Sequence, residues 1–396
     1  MNLLGIQAVR AALIDFYLEG LRYQLNEKPG IFLAQLERNS SSVVGRDIVM
    51  ALRHGRVGGS GMRADDGVLP RPRARQTTRA TWETKNFFSR FQITDKTIRA
   101  SKGNKGAFAD LLTTEIADNE TDAKQDLSRQ ALTDEYGLLA EVVALDPAGG
   151  GVTEVEVDNI LYFAPGMSIQ AYVGSTDVPR NSVGAVDEVY IEDVDRANSY
   201  IYLDQEITDL AAADELFVFG NREMELTGIA SVMDDATLYN INRANNRWMN
   251  PIQDAVGGAI SETVIQWGID ESDIRAGGEI NFIYTSHGVK RAYQALLTAQ
   301  KRLTNTMDLK GGYKTISYND IPIASDKYAP AGRMRMLDLN NWSLYEMADW
   351  DWMDRDGAML SRVAGRPAYE ATLLKYCDLG CDKPGAQVEL TGIDEA

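Results

Sequence analysis

The spacing of hydrophobic positions predicts a helix at the start of the chain. Residues 1 to about 40 carry apolar side chains with a period close to 3.6, and Pro29 and Gly30 interrupt this pattern. We expect the segment to form a helical N-terminal arm. Its apolar positions are Leu4, Ala8, Ala11, Leu18, Leu21 and Leu25.

A longer helical pattern runs from Ala107 to about Val143. Apolar side chains recur three, four or seven residues apart, and acidic, basic and amide side chains fill the other face. The pattern predicts one amphipathic helix, about 45 Å long if about 30 residues take part at 1.5 Å each. Asp146-Pro147 and the glycines at 149–151 end it.

The next 70 residues change to a strand pattern. Short runs rich in Val, Ile, Tyr and Phe are separated by turn residues between 153 and 220, which predicts a small antiparallel barrel or sandwich. Helices and strands are mixed after Gly220 without regular alternation, so the predicted fold class is α+β with a β-rich insertion. The later helix candidates are 257–267 and 287–303, with Ser286 as N-cap of the second, and the strand candidates are 279–285, 314–318, 321–324, 334–339 and 368–376.

Both patterns disappear between Ser40 and about Arg90, where Gly, Pro, Ser and Arg accumulate. Such a segment buries too little apolar surface to fold alone, so we expect a long projecting loop or hairpin. Asp65 and Asp66 lie among its many cations. The arginines from 53 to 79 are Arg53, Arg56, Arg63, Arg71, Arg73, Arg75 and Arg79.

Charge sharpens the interpretation of this loop. The 396-residue chain has 40 Lys and Arg against 58 Asp and Glu, a net charge of −18, which argues against a protein that binds nucleic acid with its whole surface. The segment from Arg46 to Lys105 has 14 basic and 5 acidic residues, so it carries +9 and the remainder −27. A basic loop on an acidic body favours contact between copies of the chain. A DNA-binding arm and a merely solvated loop are the alternatives.

Candidate chemistry is sparse. The chain has two histidines, His54 and His287, and no Gly-x-Ser-x-Gly motif, so no serine-hydrolase triad is predicted. Cys377 and Cys381 are too few for a disulfide framework or a structural zinc site. We predict no enzyme activity, no cofactor and no metal. No stretch approaches the ~18 apolar residues of a membrane helix, and the start does not resemble a secretory signal.

The acidic run from Asp349 to Gly357 is the best candidate for a cation site. If its first part is a strand, Asp349 and Asp351 share one face, whereas Trp350 and Trp352 share the other. A half-buried edge strand therefore explains the run, and a weak cation site is the alternative. Met353 occupies a ligand position, so a calcium loop does not fit.

The order of these elements resembles the major capsid proteins of tailed double-stranded-DNA phages, which share the Hong Kong 97-type coat fold. The resemblance covers about 55–396 apart from the β-rich insertion. It rests on the basic hairpin with GGSG and VLP, on the long helix and on several later segments. These segments are ELTGIASVMDD, INRANNRWMNP, IPIASDKYAP, MRMLDLNNWSLYEM and GRPAYEATLLKYCDLGCDKPGAQVELTGI.

The resemblance implies a domain organisation and an assembly. Copies would form pentamers and hexamers of an icosahedral shell around phage DNA, built in the host cytoplasm and located in the virion, with the seven loop arginines at inter-subunit contacts. The implied regions are a helical N-terminal arm at 1–45, an extended basic loop at 46–90, a peripheral domain with a spine helix at 91–149, an inserted β-barrel or sandwich domain at 150–222, a mainly axial domain at 223–365 and a C-terminal return to the peripheral domain at 366–396.

The expected partners are other copies of the chain, a separate scaffolding protein, a portal and decoration proteins. Packaged double-stranded DNA would be a neighbour through non-specific proximity, and no membrane is involved. Another phage structural protein, such as a tail-tube or decoration protein, is the first alternative. An enzyme with an accessory β-domain is the second.

Overall fold

The computed structural model describes residues 30–55, 59–71, 74–96, 105–146, 154–174, 176, 178–180, 188–207, 209–299, 306–308, 314–354 and 360–396. Residues 1–29 of the predicted helical arm lie outside the described residues. Its remainder is not an α-helix, because a 3-10 turn at Leu33–Gln35 is followed by strands at Glu37–Asn39 and Val43–Val44, the first of which pairs with residues 343–345. Within the described ranges, no helix is long and apolar enough to cross a membrane. The α-helices are α1 (Lys105–Gln130), α2 (Ile229–Asp234), α3 (Glu262–Ala276) and α4 (His287–Ala299).

The strands form several sheets and do not alternate regularly with helices, so the predicted α+β class is confirmed. They are β1 (Glu37–Asn39), β2 (Val43–Val44), β3 (Asp47–Arg53), β4 (Thr77–Glu83), β5 (Lys85–Thr94), β6 (Leu138–Asp146), β7 (Glu154–Val157), β8 (Ser168–Tyr172), β9 (Val189–Asp195), β10 (Tyr200–Leu203), β11 (Glu215–Val218), β12 (Thr237–Leu238), β13 (Ile241–Asn242), β14 (Ile252–Gly258), β15 (Phe282–Thr285), β16 (Thr306–Asp308), β17 (Lys314–Tyr318), β18 (Ile321–Ser325), β19 (Met334–Leu337), β20 (Trp342–Trp352), β21 (Ser361–Arg362), β22 (Ala368–Cys381) and β23 (Val388–Ile393).

A five-stranded sheet is built around the long strand β22, which pairs with β20 and β21 and, along its other edge, with β5. One face of this sheet is apolar because Phe87 and Phe91 alternate with exposed residues along β5. Their rings meet the buried Trp350 and Trp352 edge to face, with centroids 5.5 and 6.0 Å apart. Helix α1 contacts β5.

A seven-stranded sheet in the order β14-β23-β19-β15-β18-β17-β16 forms a second unit. Ile265 of α3 and Val289 and Tyr293 of α4 share a buried core with its strands. The hydroxyl of Ser286 accepts a hydrogen bond from the N–H of Val289 at 3.2 Å, so the predicted N-cap of α4 is confirmed.

The helix predicted at 257–267 is wrong in its first part. Residues 252–258 form β14, and α3 begins at Glu262 after an N-cap at Ser261. The cause is the parallel pairing of β14 with β23, because a contact so distant in sequence leaves no trace in the local spacing.

The long helix predicted to reach Val143 ends at Gln130. Gly137, with φ at +76°, turns the chain, and residues 138–146 then form β6. Leu139 and Val142 are buried, whereas Glu141 and Val143 are exposed, which is closer to the spacing of a strand than to that of a helix. The strand was missed because its leucines and valines also fit the helical pattern that precedes it.

Strand β6 is the first strand of a closed barrel in the order β10-β7-β6-β11-β8-β9. Apolar side chains such as Val155, Ile169 and Ile201 fill its interior and have no solvent exposure. The β-rich insertion is therefore a barrel. It begins at Leu138, earlier than the expected boundary at 150, and its last strand ends at Val218.

The C-terminal segment divides between two sheets. Strand β22 belongs to the five-stranded sheet, whereas β23 lies between β14 and β19 in the seven-stranded sheet. The segment 366–396, expected to return as a whole to one domain, thus contributes to two sheets. The 3-10 turn Pro384–Ala386 separates β22 from β23, and β23 is buried along most of its length in the second sheet.

Candidate inter-subunit surfaces

The basic segment forms a hairpin. Strands β3 and β4 pair antiparallel from Asp47 opposite Glu83 to Arg53 opposite Thr77, and residues 54–76 connect them. Alternate side chains of both strands are buried, so one face of the hairpin packs on the body of its own subunit.

Aromatic contacts fix the strands of the hairpin along their length. The ring of His54 stacks on Trp248 with centroids 4.6 Å apart, and Trp82 stacks on Tyr239 at 4.0 Å. The side-chain amide of Asn240 donates to the carbonyl of Thr81 at 2.6 Å. The end of β3 and the strand β4 are therefore both attached to the body of the same subunit.

The far end of the hairpin exposes apolar side chains next to cations. Met62 is 99% exposed, Val68 is 85% exposed and Leu69 is 80% exposed. Arg63 shapes this end, because its guanidinium donates to the carbonyls of Val68 and Met62 at 3.0 and 2.9 Å. Apolar residues clustered at an exposed loop end are typical of a contact surface.

The seven predicted contact arginines are placed as follows. Arg53, Arg63, Arg71, Arg75 and Arg79 are exposed, whereas Arg56 and Arg73 lie outside the described residues. Among the residues that the structure describes, none of these five forms an ion pair with a carboxylate. Arg63 differs from the others because it bonds within the loop.

Helix α1 carries one group of carboxylates. Desolvation raises the pKa of Glu120 and of Asp122, and Asp118 raises that of Asp122 further. Cations are nevertheless at hand, since Lys124 opposes the shift of Glu120 and the Nε of Arg129 lies 3.9 Å from Asp126.

Buried ion pairs join α1 to the rest of the body. Arg129 makes two hydrogen bonds to Glu225, and the Nε of Arg335 donates to Glu389 at 2.8 Å. Arg335 also donates to the carbonyl of Leu132 at 3.0 Å, just after the end of α1. Local sequence patterns do not indicate these pairs, because each joins positions 54 or more residues apart.

The acidic run at 349–357 is a half-buried strand in its described part. Trp350 and Trp352 are buried, and the carboxylate of Asp349 lies 3.2 Å from the ammonium of Lys375. Over the described ranges, no group of three or more potential ligands could hold a metal ion. The alternation predicted for this strand is confirmed, and Asp349 already has a protein cation beside it.

The two cysteines and two histidines occupy structural positions. Cys377 is fully buried, and burial raises the pKa of its thiol to about 12, so it stays protonated. Burial also raises the pKa of the Cys381 thiol. His54 is bonded to Thr78 and His287 to Ser325.

Neither a family model nor a curated protein matches this sequence. Among solved structures, the chain is similar to the capsid of cyanophage A-1(L), with 13% identity, a TM-score of 0.49 and coverage of 91% of this chain and 92% of that one. It is similar to the SrpI encapsulin of Synechococcus elongatus, with 10% identity, a TM-score of 0.42 and coverage of 91% and 85%. It is also similar to the capsid of the Myoviridae phage XM1, with 7% identity, a TM-score of 0.42 and coverage of 93% of each chain.

Proposed function

We propose that this chain is the major capsid protein of a tailed phage, and that its copies form an icosahedral shell around packaged DNA. The chain acts by association and catalyses no reaction. The observation that carries the proposal is the hairpin, whose strands are fixed to their own subunit and whose connecting loop exposes arginines and apolar side chains.

The far end of the hairpin favours a partner of the same kind. Fully burying a side chain such as Met62, Val68 or Leu69 contributes about 1.5–3 kcal/mol, which an isolated subunit forgoes. The arginines around them need carboxylates, and the body of every other copy is acidic. A contact burying about 800 Å² per partner would have the size of a standard protein interface.

The separate sheets support a domain assignment. In our proposal, the five-stranded sheet with α1 is the peripheral domain, and the seven-stranded sheet with α3 and α4 is the axial domain at the fivefold and sixfold centres, with Phe282 and Leu337 of the second sheet packing in a core shared with the first. The barrel, which has a core of its own, is an inserted domain.

Pentamers and hexamers require one chain to make slightly different contacts. We expect the loop of the hairpin to change direction between these positions, because a loop can move without disturbing a hydrophobic core. A separate scaffolding protein, a portal and decoration proteins would complete the particle, which would assemble in the host cytoplasm. The acidic body would lie near packaged DNA without binding it tightly.

The proposal is tested by the size of the purified protein. Electron micrographs and sedimentation should show hollow particles in the megadalton range, alone or with a scaffolding protein. A uniform 43.7 kDa monomer at every concentration would contradict the proposal.

A charge-reversal variant tests the loop. Combining Arg71→Glu, Arg73→Glu and Arg75→Glu should abolish particles and leave folded monomers or capsomers. Lysine at the same three positions is the matched control, because it keeps the charge and should retain particles. Normal particles from the glutamate variant would refute the role of these arginines.

A further inference from the structure

One side of the barrel carries alternating carboxylates and tyrosines. Strand β10 lies between β7 and β9, and the strand register gives two rows across the three strands. One row is Glu156, Tyr200 and Asp195, and the other is Glu154, Tyr202 and Asp193. We call these six residues the acidic wall.

The acidic wall points away from the barrel. The residues between its two rows are Val155, Ile201 and Val194, which pack in the barrel core. Because neighbouring positions on a strand face opposite sides, the side chains of both rows lie on the outer surface. The two tyrosines are partly exposed there, as are the two glutamates.

The two arginines of the barrel bind groups outside the acidic wall. Residues 138–218 include sixteen acidic and two basic residues. Arg180 binds Asp214 through two hydrogen bonds of 2.7 and 3.0 Å, and Arg196 donates to the carbonyl of Phe163 at 2.9 Å. Among the described residues, no lysine or arginine forms an ion pair with a carboxylate of the acidic wall.

The tyrosines suit one kind of cation. Tyr200 donates a hydrogen bond of 3.3 Å to Glu156, which keeps its ring beside the carboxylates. Desolvation and the carboxylates of Glu154, Asp195 and Asp193 raise the pKa of Tyr202, so its hydroxyl stays neutral. A guanidinium can stack on a phenol ring while it pairs with a carboxylate, which an ammonium does less well.

We propose that the acidic wall is the docking site for the basic loop, residues 54–76, of a second copy of this chain. This inference rests on the proposed function and names the receiving surface, which the shell proposal leaves open. The loop supplies exposed arginines and the wall supplies carboxylates and rings. In the described part of one chain, no hydrogen bond, ion pair or ring contact joins residues 53–79 to the barrel, and the proposed contact is therefore one between copies.

The carboxylates of α1 are the competing site within the same acidic body. Lys124 and Arg129 already lie beside Glu120 and Asp126. These cations neutralise part of the negative charge, so the electrostatic attraction for an arginine of another copy is weaker there. Among the residues that the structure describes, no lysine or arginine forms an ion pair with a carboxylate of the acidic wall, which has two aromatic rings in addition. Charge and chemistry together favour the barrel.

Crosslinking between full-length copies tests the docking. One copy carries Arg71→Cys and a differently tagged copy carries Tyr202→Cys, and a short bis-maleimide joins them under assembly conditions. We expect a crosslinked dimer that contains both tags. Val178→Cys is the matched barrel control, since Val178 is 57% exposed and lies outside the acidic wall, and Asp118→Cys reports on α1. Neither should crosslink efficiently.

A charge exchange provides the second measurement. Combining Glu154→Lys, Glu156→Lys and Asp193→Lys should lower particle yield at least tenfold, and so should Arg71→Glu with Arg75→Glu. The five substitutions together should restore most of the yield, because the charges are complementary again. Circular dichroism should show that each variant is folded.

The outcomes separate the docking from the shell. Particles that form without the Tyr202 crosslink, or that crosslink at Asp118 instead, would overturn the docking and leave the shell proposal standing. A crosslink without particles would support the docking and contradict the shell. A wall variant with normal particle yield would also overturn the docking.

Discussion

The guanidinium of Arg129, at the end of α1, makes two hydrogen bonds to the carboxylate of Glu225, and both side chains are fully buried. Breaking a buried pair leaves a charge without a partner, at a cost of about 3–5 kcal/mol. Glu225→Ala should therefore lower the free energy of unfolding by about that amount in chemical denaturation. The double variant Arg129→Met with Glu225→Leu should lose much less. Equal losses in both would contradict this account.

The carboxyl group of Asp378 should make stability depend on pH. It accepts hydrogen bonds from the N–H and hydroxyl of Thr227, yet burial raises its pKa to about 7. The unfolded value is about 3.9, so the folded state favours the protonated acid, and its stabilising contribution is lost as the pH rises from about 4 to about 7. Over that range, wild type should lose about 4 kcal/mol relative to Asp378→Asn, measured by denaturation at each pH. Parallel curves for the two proteins would contradict the raised pKa.

Gly228 should tolerate no side chain. A methyl group there would lie 2.2 Å from the carbonyl oxygen of Thr133 and 2.6 Å from that of Gln130. Backbone oxygens move only with their chain, so Gly228→Ala should destabilise the protein by at least about 1–3 kcal/mol. Gly258→Ala is the control, because nothing lies within 4 Å of its added methyl. The two melting temperatures should differ, and matching values would refute the steric account.

The salt dependence of assembly should separate charge from hydrophobic burial at the hairpin. Raising the salt from about 0.15 M to about 1 M shortens the screening length from about 8 Å to about 3 Å, so arginine contacts should weaken and assembly should slow. Light scattering measures this rate. Replacing Met62, Val68 and Leu69 with serine should slow assembly at every salt concentration and leave the ratio between low and high salt unchanged. A salt-independent rate for wild type would argue against pairing of the loop arginines.

Local patterns predicted the elements whose structure is decided locally. The alternation of Trp350 and Trp352 with aspartates identified one face of β20, and the hydroxyl of Ser286 identified the start of α4. The short runs between 153 and 220 predicted the barrel or sandwich because apolar residues of the core alternate with polar residues along each strand.

Long-range pairing decided what the sequence did not predict. Strand β14 exists because it lies beside β23, and β6 exists because β7 and β11 flank it in the barrel. The acidic wall depends on the register of three strands, so its rows could not be assembled from spacing alone. Composition indicated the hairpin but not its strands, because Ile48, Leu52 and Ala80 are buried in β3 and β4, and residues 85–94 form β5 of the five-stranded sheet.

The first and last strands of the barrel lie side by side. The chain enters on β6 and leaves on β11, and these strands pair antiparallel, with Leu138 opposite Phe217. Paired strands are about 5 Å apart, so the two covalent connections between the barrel and the remainder of the subunit lie next to each other. Such an arrangement is that of a domain inserted at a single site of an existing fold. A lineage could gain, exchange or lose the barrel by splicing at one place, and an engineer could replace it with a cargo-displaying module by the same cut.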